Sequence, residues 1–164
     1  MSGFVARDPI ADTSPDPQPP AADLVECDAF WPSINITDLR QAARLNTDIP
    51  AERLRDAVRI AMLDMARELQ AWRLDQQLAG FQTLSAVPAR QKVGGQSDYV
   101  LLWARGIYSV VAADLGEQLR GQGLTAAGDA RADSLQSDVD IHSRNVIHAV
   151  RDFLGTTRVA VALI

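Results

Sequence analysis

The stretch Pro50-Ala-Glu-Arg-Leu-Arg-Asp-Ala-Val-Arg-Ile-Ala-Met-Leu-Asp-Met-Ala-Arg-Glu-Leu-Gln-Ala-Trp-Arg-Leu-Asp-Gln-Gln-Leu78 decides the fold class. Leu54, Val58, Ala61, Met65, Leu69 and Trp72 recur at spacings of three and four, which line one face of an α-helix. Arg53, Asp56, Arg59 and Arg67 occupy most of the remaining surface. Asp48 is placed to cap this helix, Pro50 suits its first turn, and Gly80 suits its end. The pattern predicts one helix from about Pro50 to Leu78.

Working outward, the same period returns twice. Val100, Ala104, Ile107, Val111, Leu115 and Leu119, broadened by Trp103 and Val110, predict a helix opening at Ser97 and ending near Gly121. Leu135, Val139, His142, Val146, Ala149 and Phe153 predict another from about Ala127 to Leu154, stopped by Gly155. A shorter helix is expected to start with Thr37 as N-cap and close at Asn46–Pro50. Between the long helices, residues 81–95 read as loop, with Leu84 and Val87 tucked in as a half-turn and Gly94-Gly95 as turn material. The expected fold is all-α: a small bundle of about four helices with a disordered N-terminal arm and an extended C-terminal strand or tail.

Both ends differ from this helical body. Residues 1–27 form the expected arm, because Asp12-Thr-Ser-Pro-Asp-Pro-Gln-Pro-Pro20 is rich in proline and acid and has too little apolar surface to offset ordering entropy. Residues 28–156 form the expected helical domain. Phe30-Trp31-Pro32 at its start suits an extended segment that anchors either the core or a partner. Residues 157–164 form the tail. Arg158, Val159, Ala160, Val161, Ala162, Leu163 and Ile164 alternate and favour a strand. Alone in a helical chain, such a strand needs another chain's sheet edge to satisfy its backbone, or else packs as an extended tail over the helices.

Composition narrows the function. Of 164 residues, 47% are hydrophobic and 23% charged, which is ordinary globular usage and enough for a core. No apolar run is long enough to span a bilayer, and Asp8, Pro9, Asp12 and Pro15 interrupt any signal-peptide pattern. The expectation is a soluble protein made and used in the cytoplasm. A net charge of −5 argues against gripping nucleic acid but suits a surface past which nucleic acid slides. The one lysine, Lys92, leaves arginine as the other strong base, a pattern that GC-rich coding explains. The single cysteine, Cys27, excludes an internal disulfide and a cysteine-based zinc site.

No catalytic constellation is visible. There is no P-loop and no GxGxxG. His142 and His148 are six residues apart and fall on different helix faces, so they make a poor metal pair. His142 lies in an apolar stripe and reads as a core histidine with one nitrogen hydrogen-bonded. Asp129, Asp133, Asp138 and Asp140 lack the Glu-x-x-His partners of a helical metal site and read as a solvated acidic face. No cofactor is expected.

Several segments together resemble the head completion proteins of P2-like tailed bacteriophages, which act as head–tail connectors. They are Phe30-Trp-Pro-Ser-Ile34, Pro50-Ala-Glu-Arg-Leu-Arg-Asp-Ala-Val58, Ala79-Gly-Phe-Gln-Thr-Leu-Ser-Ala-Val-Pro-Ala89, Thr125-Ala-Ala-Gly-Asp-Ala-Arg-Ala-Asp-Ser-Leu135 and the helix Asp138–Gly155. They run in the expected order over about residues 28–164. Where the family carries a lysine-rich turn near Gly128, this chain has Ala127, Ala130 and Arg131.

The resemblance implies a non-enzymatic adaptor at the virion neck, made in the host bacterial cytoplasm. It would dock on the portal protein after DNA packaging, help seal the filled head and present a surface to a tail-proximal neck protein. It implies a ring of about a dozen copies around packaged DNA, with Asp129 and Asp133 as candidates to face that channel. A closed ring needs two different faces per subunit, which the second stripes of the two helices at 50–78 and 97–121 are expected to supply. Two other classes compete: a small helical module whose acidic arm binds a basic partner, and an enzyme or metal protein built on the helices. Portal, terminase and capsid genes beside this one would separate the adaptor from the module, and an activity screen with and without metals addresses the enzyme.

Overall fold

The computed structural model describes the backbone of residues 23–45, 48–122 and 129–156, and the side chains within them except 119–122 and 129–137. The expectations for the proline-rich arm and for the strand at 158–164 fall outside these residues. The element order is β1 (Leu24–Val25), β2 (Ile34–Asn35), α1 (Ile36–Ala42), α2 (Ala51–Glu68), α3 (Gln70–Leu78), a single 3-10 turn (Leu84–Ala86), β3 (Lys92–Val93), β4 (Gln96–Ser97), α4 (Asp98–Gln122) and α5 (Asp129–Leu154). The protein is mainly helical, as its periodicity predicts.

The long helix expected at 50–78 divides at Leu69. Its backbone there has φ −95° and ψ 7°, which ends α2 and begins α3. The hydrogen-bond ladder still crosses the break, from Leu69 N–H to the Met65 carbonyl and from Arg73 N–H to the Leu69 carbonyl. Neither glycine nor proline marks the site. Leu69 is fully buried, and beyond it Trp72 packs against Phe30, Tyr99 and Phe153. Tertiary packing therefore sets this break, and a one-dimensional period does not register it.

Two helix starts also differ from expectation. Asn35, not Thr37, caps α1: its Oδ1 accepts from the N–H groups of Thr37 at 2.8 Å and Asp38 at 3.4 Å. The reason is that β2 delivers the chain to Asn35 in an extended conformation, the geometry a cap requires. At α2 the cap position is Pro50 rather than Asp48, and no side chain caps it. Ser97 does cap α4, its hydroxyl accepting from Tyr99 N–H.

The fold begins before residue 28. Leu24 and Val25 pair antiparallel with Asn35 and Ile34, and Val25 enters the core. Residues 23–27, assigned to the arm by composition, are drawn in because the turn between these strands is braced. Asp28 Oδ1 accepts from Phe30 N–H at 3.0 Å, and Trp31 N–H donates to the Asp28 carbonyl. A second ladder, Lys92–Val93 with Gln96–Ser97, closes through Gly94 and Gly95, both at positive φ (57° and 81°). That is the backbone a tight two-residue hairpin demands, and glycine adopts it without strain. The helical chain is thus not free of strand.

α4 is the central helix. α5 runs antiparallel along it, and α2 packs on it as well. Two glycines inside α4 mark these approaches. A side chain at Gly106 would meet the end of Met65 and lie 3.7 Å from Ala149 Cβ, and one at Gly116 would lie 2.9 Å from a Val139 methyl. Trp103, Ile107, Val111 and Leu115 of α4 join Leu54, Val58, Met65 and Leu69 of α2 in the core, with Phe153 of α5. No described helix is long and apolar enough to cross a membrane.

Candidate docking surfaces

One end of the bundle is an aromatic cluster. Trp31 stacks on Trp103 with ring centroids 4.3 Å apart and planes 7° apart. Phe30 meets Trp31 edge-on, and Trp72, Tyr99 and Phe153 complete the set. Trp103 Nε1 donates to the Pro32 carbonyl at 3.1 Å, and Leu84 N–H to the Phe30 carbonyl at 2.8 Å. Arg73 pairs with Asp28 and lies over the Phe30 ring. Phe30 and Trp31 are therefore buried and bind the 28–34 segment to three helices; neither ring presents an open face to a partner.

Beside this cluster, Arg90 ties together the ends of α4 and α5. Its Nε donates to Asp98 Oδ2 at 2.9 Å, its Nη2 donates to the Asp152 carbonyl at 2.7 Å, and its guanidinium lies over Tyr99. Gly155, at φ 69°, ends α5 here, in agreement with the sequence. A shallow groove of about 580 Å³, lined by Arg90, Asp98, Leu101, Leu102, Asp152 and Thr156, opens at this point. Thr156, where the described residues end, lies on its wall. Sequence reasoning did not single out Arg90; an isolated arginine in a loop carries no periodic signal.

A second cleft, of about 430 Å³, lies where Ala42 and Ala43 at the end of α1 face α4 and α5. His142 lines it, half-buried, and its buried Nδ1 has no hydrogen-bond partner among the described residues. His142 thus stands half-buried on the wall of a cleft, not fully in the core as its place in the apolar stripe predicts. Arg105 Nη2 donates to Asn145 Oδ1 at 3.3 Å across the same cleft. Tyr108, also on its wall, has its hydroxyl pKa raised above the usual tyrosine value by burial and, to a lesser degree, by the negative charge of Asp38.

Asp129 is the first residue of α5 and Asp133 lies one turn on, but their side chains are outside the description, as are all atoms of Arg158 to Ile164. Among the described residues, no group of three or more His, Cys, Asp or Glu side chains is arranged to hold a metal ion. The features described are therefore an aromatic cluster, the Arg90 groove and the His142 cleft.

Residues 25–164 match the model of the phage head completion protein (GPL) family. The head completion/stabilization protein of Escherichia phage P2 is 32% identical over 149 residues, covering 90% of this chain and 88% of that protein. No solved structure matches. The match of the family model to nearly the whole chain, begun at the residue where the β1–β2 pair enters the core, shows that the chain belongs to the phage head completion protein family and is a structural component of the phage head, not an enzyme.

Proposed function

We propose that this head completion protein acts at the neck, docking on the portal protein after packaging, helping to retain the DNA and offering a surface to the tail-proximal neck protein. The observation that carries this reading is the construction of the α5 end. Arg90 and the aromatic cluster hold the end of α5, and the sequence that follows, residues 157–164, is alternating and β-branched. Such a segment has the sequence for adding to an exposed strand edge of a partner, where main-chain hydrogen bonds supply affinity and alternate side chains fill pockets. A ring of copies around the channel completes the reading, and the net charge of −5 keeps packaged DNA from sticking to it.

Deletion of residues 157–164 tests this. Because the aromatic cluster lies upstream, the truncated chain is expected to fold. Phage carrying it should package DNA, then lose it and fail to join tails. Filled, tailed, infectious virions at wild-type yield would contradict the proposed role of the segment.

A further inference from the structure

The Arg90 groove and the His142 cleft are two parts of one trough. Leu101 lines both, and their other helical residues keep to a single seam. Asp98, Leu101 and Arg105 follow one another on α4 at spacings of four and three, and Asn145 and Asp152 lie on one face of α5. The trough therefore follows the junction of α4 with α5, and Arg105 reaches across it to Asn145. Each end holds a buried polar atom with no hydrogen-bond partner among the described residues: Asp98 Oδ1 at the end beside Thr156, and His142 Nδ1 at the other. Between them the floor is apolar, made by half-buried Leu101 and Leu102 and by Ala104. Charge changes along its length. Asp98 and Asp152 outnumber Arg90 at the near end, whereas Arg105 is the charged residue at the far end.

We propose that residues 158–164 of the same chain lie extended in this trough, so that the free protein holds its own strand-forming segment until the portal takes it. The docking stands by itself; the release to the portal rests on the neck reading above.

Position, length and charge select this occupant. Thr156 lies on the wall of the near end, and Gly155, at φ 69°, turns the chain off the axis of α5 there. From Asp98 to Tyr108 the trough follows about 15 Å of helix at 1.5 Å per residue. Residues 158–164 reach up to about 23 Å when extended, so they cover that length. Arg158 comes first, beside Asp98 and Asp152, where the trough is acidic. Val159, Val161 and Leu163 then share one side of an extended chain and suit the Leu101–Leu102 floor. At the far end, main-chain carbonyls accept from Arg105, and His142 Nδ1 donates or accepts according to its tautomer. Holding the segment in this way has a physical benefit. A free alternating strand presents unpaired backbone groups on which other chains can pair and aggregate, and the trough covers them.

The test uses the full chain with Cys27→Ser and Ala162→Cys, the introduced thiol carrying a nitroxide spin label, and reads the loss of amide signals by NMR. Signals of Leu101, Arg105, Tyr108 and Asn145 should be lost, while those of Ile60 and Leu63, on the outer face of α2, should be kept. Adding Leu101→Glu or Arg158→Glu should return the lost signals to the intensity of Ile60 and Leu63. Arg158 lies beyond the helical bundle, so its variant keeps the test decisive if Leu101→Glu disturbs the fold. A mixture of isotope-labelled chain without the spin label and spin-labelled chain without the isotope should show no loss. Even loss over the whole surface, loss centred elsewhere, or loss in the mixture, which would seat one copy's segment on another, overturns the proposal. Capture by purified portal is measured in parallel. Leu101→Glu should be captured several-fold faster than the wild type, and equal rates overturn the release. If neither chain is captured while the trough signals stay lost, the neck reading fails and the docked segment stands.

Discussion

Trp31 and Trp103 show how single residues bind the N-terminal segment to the helices. Their stacked rings are buried, and Phe153 and Phe30 close the pocket around Trp31. Trp31→Ala removes a buried ring from a packed site, so it should cost about 3–5 kcal/mol in urea-induced unfolding. A loss below about 1 kcal/mol would mean that the segment is merely laid on the surface. Tyr108 makes a prediction about pH. Burial, and then Asp38, raise its folded-state pKa above the usual value of 10.0. Below that value both states keep the proton and stability is unaffected. Above it the unfolded chain ionises first, so stability should fall as pH climbs past 10. Thermal melts of Tyr108→Phe should show a shallower alkaline decline than the wild type; parallel curves would contradict the assignment.

Among the elements, the first helix offers the sharpest test. Asn35→Ala should cost about 1 kcal/mol, since its side chain serves two N–H groups at the start of α1. Thr37→Ala should cost less, because the Thr37 hydroxyl makes an exposed bond to Asp23 rather than capping the helix. Chemical denaturation of the two variants checks the order, and the reverse order would restore Thr37 as the cap. What could be read from sequence divides along the same lines. The stripes of α2, α4 and α5 were legible because burial on one face imposes a period on each. Val58, Ile107 and Ala149 stand where that period puts them. The cap at Asn35 was not, because it depends on β2 arriving in extended form, and β2 depends on its pairing with the distant Leu24–Val25. The break at Leu69 was hidden for a similar reason. Gly106 and Gly116 did carry a signal: glycine inside a helical pattern costs about 1 kcal/mol against alanine, so its presence points to a close approach. The docking surfaces were less legible. Phe30 and Trp31 stood out as aromatics, but only the fold shows that they face inward.

At the scale of the whole molecule, the parts serve one arrangement. α4 packs against α2 and α5 and, among its described side chains, exposes no large hydrophobic. The aromatic cluster and Arg90 hold the end of α5 through Phe153 and the Asp152 carbonyl. As a member of the head completion protein family it is a structural component of the phage and not an enzyme. The most direct measurement is electron microscopy of the full chain mixed with its cognate portal. The account predicts a closed ring of copies seated on the portal, with density for the C-terminal segment running from the end of α5 into the portal. Portal particles that remain bare at saturating concentrations of the protein would contradict it.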